Sequence, residues 1–542
     1  MVLQRDMSVP VWGWATPGEV VTVEAGHDKA TATTGQDGKW SAKLTKLAAS
    51  ATPIEVIISG KNRITLHDVL VGDVWVCSGQ SNMELGVKGT MPNEEFSKAG
   101  DRQIRLFSVP KCIAPAPASD IAPIPPNLSM TGNWQVCTPE TLSKAGEWSG
   151  FPAVGYYFGH EIRNVTKEPV GLIGTCWGGT RINSWTSIPT LQSNPAMASF
   201  AAGAIKFRDH YDEIKKAYLE VDLPQWKAAM EKWKSENKEA IDQFDTATKK
   251  WAEETKAAAA QKKPGPPKPK PLASPKEPRD PIHNNQNSAA LFNGMVAPLI
   301  PYGIKGVVWY QGESNADNPV FYKIALPALI TDWRTQWSQG DFPFLIVQLP
   351  NFGAKKPEPG ESYWAGTREA QAKALSVPKT GMAVTIDLAA GGNLHPPDKW
   401  DVGYRLALAA KHVAYGQQDT IYSGPLYRSF KVDGNKIRIA FESAGNALTI
   451  GQPPEHFFTT QKQIVPQSAA SELQGFAIAG ADHKFVWARA SIDGDTVLVW
   501  NEAVPNPSAV RYAWADNPNC NLYNKDGLPA VPFRTDDLPL GK

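Results

Sequence analysis

The sequence predicts an α/β protein whose parallel sheet is covered on both faces, with a β-rich segment at either end. Three observations carry this. Residues 1–67 and 417–542 contain short strand-like runs separated by Gly and Asp turns. Between 68 and 416, apolar β-branched runs alternate with helical stretches, the pattern of strands buried on both faces. A chain of 542 residues also exceeds what one ordinary core holds. The expected units are therefore 1–67, 68–416 and 417–542, with 206–285 as an insertion in the middle one.

Composition narrows the function classes. An apolar fraction of 42% with 10% aromatics supplies real cores, and a net charge of +1 predicts no strong attraction to nucleic acid or acidic surfaces. No run approaches the roughly 18 apolar residues of a membrane span. Nineteen tryptophans suit either core packing or indole faces laid against sugar rings. The five cysteines, at 77, 112, 137, 176 and 520, form no CxxC or Cys/His cluster, so no zinc site is expected. Cys112 and Cys137 flank a Pro-rich loop and are a candidate pair in an oxidising compartment.

In chain order, Val9–Trp14, Val20–Val23, Lys39–Leu44 and Ile54–Ile58 read as strands, with a turn at Gln36-Asp37-Gly38. The run Val69–Cys77 reads as a buried strand that stops at Ser78-Gly79. Ser81 and Asn82 follow, and both residue types favour helix starts. Ser81 thus falls at the carboxyl end of a strand, the edge where open α/β sheets bind ligands, near backbone N–H groups able to hold an oxyanion. The plainer alternative is a capping serine. A Pro- and Ala-rich loop (108–128) and a helix over Trp148–Gly159 come next. The strand Pro169–Cys176 then ends in Trp177-Gly178-Gly179-Thr180-Arg181, where two glycines permit close backbone approach to a substrate, or simply a tight turn.

The insertion differs in kind. Trp226, Met230, Trp233, Ile241, Phe244 and Trp251 share one helical face. A basic proline run, Lys262–Pro271, follows and predicts an exposed tether after a helical hairpin. Beyond it, Asn287–Leu299 reads as a helix and Ile304–Tyr310 as a strand ending in Gln311-Gly312-Glu313-Ser314-Asn315. Phe342–Leu349 and Met382–Leu388 are strand-like, with a helical run Thr367–Ser376 between them. Gly391–Lys399 is a loop whose His395 could reach a nucleophile on the same sheet edge, although a lone histidine is as readily structural. A helix over Val402–Leu408 precedes the strands Ser429–Val432, Lys436–Phe441, Phe485–Ala488 and Thr496–Trp500.

Gly79-Gln80-Ser81-Asn82-Met83 resembles the first block of the SGNH hydrolases, in the variant form of the sialate O-acetylesterase family. Gly171–Thr180, Gln311-Gly312-Glu313 and His395-Pro396-Pro397-Asp398-Lys399 resemble the later blocks in the same order. The resemblance spans nearly the whole chain apart from the insertion. It implies an SGNH-type (flavodoxin-like) three-layer catalytic domain between β-rich flanks. It also implies a serine esterase removing O-acetyl groups from carbohydrates, foremost a sialate O-acetylesterase, with an acetylxylan or other polysaccharide acetylesterase as the alternative. Ser81 would be the nucleophile and His395 the general base. The oxyanion would be held by the Ser81 N–H, by Gly178 or Gly179, and by the Gln311 amide, with Glu313 as a supporting anchor.

One departure stands out. Where many SGNH enzymes place an aspartate three residues before the histidine, this chain has Gly392, and two before it has Asn393. Asp387 is one candidate third member; a backbone carbonyl near Asn393, giving a Ser–His dyad, is the other. Trp177, Trp185 and Trp309 are candidates for the pocket wall. Arg181 either pairs with a sugar carboxylate, as sialic acid would require, or is a surface arginine. No metal or organic cofactor is required, and the expected partner is an acetylated carbohydrate. Members of the family carry residues ahead of this starting point, so the expectation is an exported protein whose signal lies outside this chain. The reading from another class is a non-catalytic carbohydrate-binding protein.

Overall fold

One long strand organises the molecule. In the computed structural model, which describes residues 1–542 except 126, 127, 129, 262, 279, 390, 444, 446, 454–471 and 541–542, strand β1 (Arg63–Gly79) belongs to two neighbourhoods at once. Its first part pairs antiparallel with Ser50–Ser59 in the N-terminal β region. Its second part runs parallel to strands on both sides. After it come the short helix α1 (Ser81–Glu84), strand β2 (Asp101–Ser108), helix α2 (Ala153–Thr166) and strand β3 (Val170–Cys176). The insertion supplies α3 (Leu223–Glu236) and α4 (Lys238–Ala260). The second half adds β4 (Gly306–Tyr310), α5 (Pro319–Trp337), β5 (Phe344–Val347), β6 (Thr380–Ala383) and α6 (Lys399–Val413).

The parallel strands lie in the order β6-β5-β4-β1-β3-β2, with Gln135–Cys137 antiparallel at the β2 edge. Side chains alternate along β1 as the pleat requires. Val74 and Val76 enter one core with α5; Trp75 and Cys77 enter a second with α2 and α6. Burial on both faces explains why β1 reads as an almost unbroken apolar run. Among the described residues the C-terminal region holds three antiparallel sheets, two of four strands and one of two, the first ordered Leu426–Asp433, Lys436–Glu442, Thr496–Trp500, Arg489–Asp493.

Several expectations meet different outcomes. Trp185 and Trp309 are both fully buried (0% exposed), in a chain of aromatic contacts that continues to Trp333 and Trp337. They are core residues and cannot line a pocket. All five cysteines are free, so Cys112 and Cys137 do not pair. In the insertion, the residues assigned to one helical face are all half-buried. The proline-rich segment after them, expected as an exposed tether, is mostly exposed and also touches the hairpin at two points. Trp226 Nε1 donates to the Pro275 carbonyl (3.2 Å), and Trp251 Nε1 to that of Pro266 (2.9 Å). Polyproline backbone makes no internal hydrogen bonds, so its carbonyls are free to accept, and an indole N–H leaving water needs such a partner. Among the described residues no helix is long and apolar enough to cross a membrane.

Candidate active site

The end of β1 is shaped by close backbone packing. Gly79 has φ +138, and a side chain there would collide with the Tyr310 carbonyl of β4. Only glycine fits, and the chain turns at once into α1. Gln80 is the N-cap, so Ser81 is the first helical residue and its hydroxyl does not cap the helix. Ser81 Oγ lies 2.9 Å from His395 Nε2, across 314 residues of sequence. The strand-end position and the loop after β6 thus bring these two residues together.

His395 is held by its surroundings. Its backbone N–H donates to Asn393 Oδ1 (2.9 Å), and Trp148 meets the ring edge-on at 4.8 Å. Burial, and then the charge of Lys399, hold its pKa below the usual histidine value. Among the described residues no Asp or Glu pairs with the ring, and its Nδ1 has no protein partner. Asp387, a candidate third member, is placed elsewhere. It forms a two-pronged ion pair with Arg405 of α6 (2.6 and 2.8 Å) and accepts from the Tyr523 hydroxyl (3.2 Å). It lies in the turn past the end of β6, and its carboxylate is taken by α6 and by Tyr523 rather than by the imidazole.

The donors expected around an oxyanion separate clearly. The Gly178 N–H is taken by the Glu84 carboxylate (2.5 Å). Gly179, at φ +72, has an N–H with no partner among the described residues and open space where a side chain would stand. The turn lies against Ser81, since a Cβ on Gly178 would come 3.3 Å from that of Ser81. Gln311 is wholly buried, and its amide donates to the Thr180 carbonyl (3.1 Å) and Asn315 Oδ1 (2.8 Å). Both of its hydrogens are used inside the fold, so it is not an available oxyanion donor.

Behind Ser81, Asn82 is clamped. Its Nδ2 donates to Glu313 Oε1 (2.5 Å) and to the Leu394 carbonyl (3.0 Å), and its Oδ1 accepts from Lys399 Nζ (2.6 Å). Burial lowers Lys399 to about 7 and raises Glu313, each partly opposed by the other's charge. Glu313 thus helps to hold Asn82 in place. Asn82, Lys399 and Trp148 were given no role from sequence; a polar residue followed over 300 positions later by a buried lysine leaves no local signal. Gln80 Oε1 also accepts from the N–H groups of Gly312 and Ser314, tying the same loop to the Ser81 turn.

At the rim, Trp177 is half-buried under Lys111, whose Nζ lies 5.4 Å from the ring centroid. Arg181 is 39% exposed and forms a two-pronged pair with Asp317 (3.1 and 2.7 Å). A cleft of about 500 Å³ opens where Ala316 follows the Glu313 loop, lined by Phe352, Tyr363 and Trp364. Phe352 is bridged to Gly391, at the start of the His395 loop.

The family profile described as carbohydrate esterase, sialic acid-specific acetylesterase, matches residues 283–411, which include Glu313, His395 and Lys399. A sialate O-acetylesterase of Mus musculus is 30% identical, over 98% of this chain and 92% of its own length. The chain belongs to the sialate O-acetylesterase family. The Homo sapiens sialate O-acetylesterase is 28% identical over 98% of this chain and 90% of its own length. A crystal structure of a carbohydrate acetylesterase from Xanthomonas citri superposes with a TM-score of 0.73 at 33% identity, covering 99% of this chain and 97% of that one. These near full-length family matches extend past the profile to Ser81 and the Gly178–Gly179 turn.

Proposed function

We propose that the protein is a serine esterase that removes O-acetyl groups from carbohydrates by a Ser81–His395 dyad. The observation that carries this is the 2.9 Å contact between Ser81 Oγ and His395 Nε2. In this reading Ser81 Oγ attacks the acetyl carbonyl while His395 Nε2 takes its proton. The N–H groups of Ser81 and Gly179 hold the tetrahedral oxyanion. His395 returns the proton to the sugar oxygen as the C–O bond breaks, leaving an acetyl-serine. Water then attacks, giving its proton to His395, and acetate leaves as that proton returns to Ser81. A charged Lys399 nearby disfavours imidazolium, which suits a base that must be neutral to act. The aromatic cleft beside the loops is the place for the sugar. A purely sugar-binding role would leave the Ser81–His395 contact without a use.

The reading extends to an SGNH-type three-layer arrangement over 68–416, supported by the two cores on opposite faces of the parallel sheet, with β-rich units over 1–67 and 417–542. It also carries the expectation of export, which cell fractionation tests.

A second reading of the substrate, acetylated glycans without a carboxylate, is favoured by one observation. Arg181, the cation beside the glycine turn, is already neutralised by Asp317. Acetate release from O-acetylated sialic acid, acetylated xylan and an aryl acetate, wild type against Ser81→Ala, tests both. Activity surviving in Ser81→Ala overturns the mechanism, and the preferred ester decides the sugar.

A further inference from the structure

The Gly178–Gly179 pair presents four backbone polar groups, and three of them are held by side chains. The Glu84 carboxylate, itself paired with Lys111 Nζ at 2.6 Å, accepts the Gly178 N–H. Asn285 Nδ2 donates to the Gly178 carbonyl (3.3 Å). Gln286 Nε2 donates to the Gly179 carbonyl and also reaches Asn285 Oδ1 (3.3 Å). The fourth group is the Gly179 N–H, which has no partner among the described residues. The Gly178 carbonyl and the Gly179 N–H belong to one planar trans peptide, so they point in opposite directions. A donor bound to that carbonyl fixes where the N–H points and polarises it further.

We propose that Asn285, backed by Gln286, is a positioning residue that aims the Gly179 N–H at the oxyanion during acetyl transfer. This rests on the Ser81–His395 reading above. It also gives the insertion a place in the chemistry, because Asn285 and Gln286 lie in the turn at its return end, ahead of β4. Without Asn285 the peptide at φ +72 has no side chain to hold its carbonyl, and it is free to rotate its N–H away from the nucleophile.

The test uses the full chain with Asn285→Asp, which keeps size but replaces the donor by an acceptor, and Asn285→Ala in case the aspartate variant does not fold. An isolated oxyanion donor contributes about 10²–10³ in kcat, and misaiming one forfeits part of that. The expected result is a fall in kcat of roughly tenfold or more on an aryl acetate, with KM within about twofold and the melting temperature little changed. The rate at which an aryl alkylphosphonate labels Ser81 should fall in the same proportion, since its adduct also carries a tetrahedral oxyanion. Unchanged kcat in a folded variant overturns the proposal, as does a loss confined to KM or one that tracks thermal stability alone. Ser81→Ala run alongside separates the failures: if it stays active, the dyad reading has failed, whereas an inactive Ser81→Ala beside a fully active Asn285→Asp rejects only the positioning role.

Discussion

Lys399 Nζ donates to Asn82 Oδ1 across 2.6 Å, joining the residue after Ser81 to the first turn of the helix that follows His395. The contact places a buried cation within electrostatic reach of His395. At the pH where a histidine titrates, Lys399, held at about 7, is still largely protonated.

The sign follows. A nearby positive charge makes imidazolium less favourable, so His395 stays neutral to lower pH and the acid limb of kcat/KM lies below about 6.5. Lys399→Met removes the charge and should move that limb upward. It also leaves Glu313 and Asn82 short of a partner, at a cost of about 1–3 kcal/mol. A pH–rate profile with paired chemical denaturation checks both; an acid limb that stays put or moves down refutes the electrostatic link.

Asp387 and Arg405 form a buried ion pair (1% and 5% side-chain exposure). Asp387→Asn leaves Arg405 without its counter-charge, and a loss of about 3–5 kcal/mol in unfolding free energy is expected. Activity per folded molecule should remain within a few-fold of wild type. A triad carboxylate would instead cost about 10⁴ in kcat. Active-site titration combined with urea unfolding distinguishes these.

The meeting of Ser81 and His395 was legible because the loops that follow parallel strands gather at one sheet edge. Ser81, Gly179 and His395 each follow a strand of one sheet, and strand periodicity alone puts those ends on one edge. What sequence could not give was side-chain direction. Gln311 also follows a strand, yet its amide is spent on Thr180 and Asn315. Trp185 and Trp309 stand near glycine turns in the chain but point into the core. Asp387 has the right chemistry and a competing arginine one helix away. The roles of Asn285 and Gln286 were hidden because their partners are backbone carbonyls more than 100 residues earlier.

Arg181→Ala should change kcat/KM on acetylated xylan by less than about threefold, because the exposed pair with Asp317 contributes little. The same variant assayed on O-acetylated sialic acid is the discriminating arm. A loss confined to that substrate would show that Arg181 leaves Asp317 to bind the sugar's carboxylate.

Trp364 has its ring orientation fixed by donation from Nε1 to the Pro350 carbonyl (2.8 Å). If the cleft beside it takes sugar rings, Trp364→Ala should raise KM on acetylated oligosaccharides by roughly tenfold, the worth of about 1.4 kcal/mol of stacking. KM on an aryl acetate should be unaffected. Equal changes on both esters would remove the cleft from substrate binding.

β1 serves the N-terminal β region and the parallel sheet without a break over 17 residues. A swivel between the two would have to bend a strand that is hydrogen-bonded at the junction to Val2–Gln4 on one edge and to Ser50–Ser59 on the other. The N-terminal region therefore behaves as a brace welded to the catalytic half, and any adjustment to the size of a glycan falls to the loops that carry Arg181, Phe352 and His395.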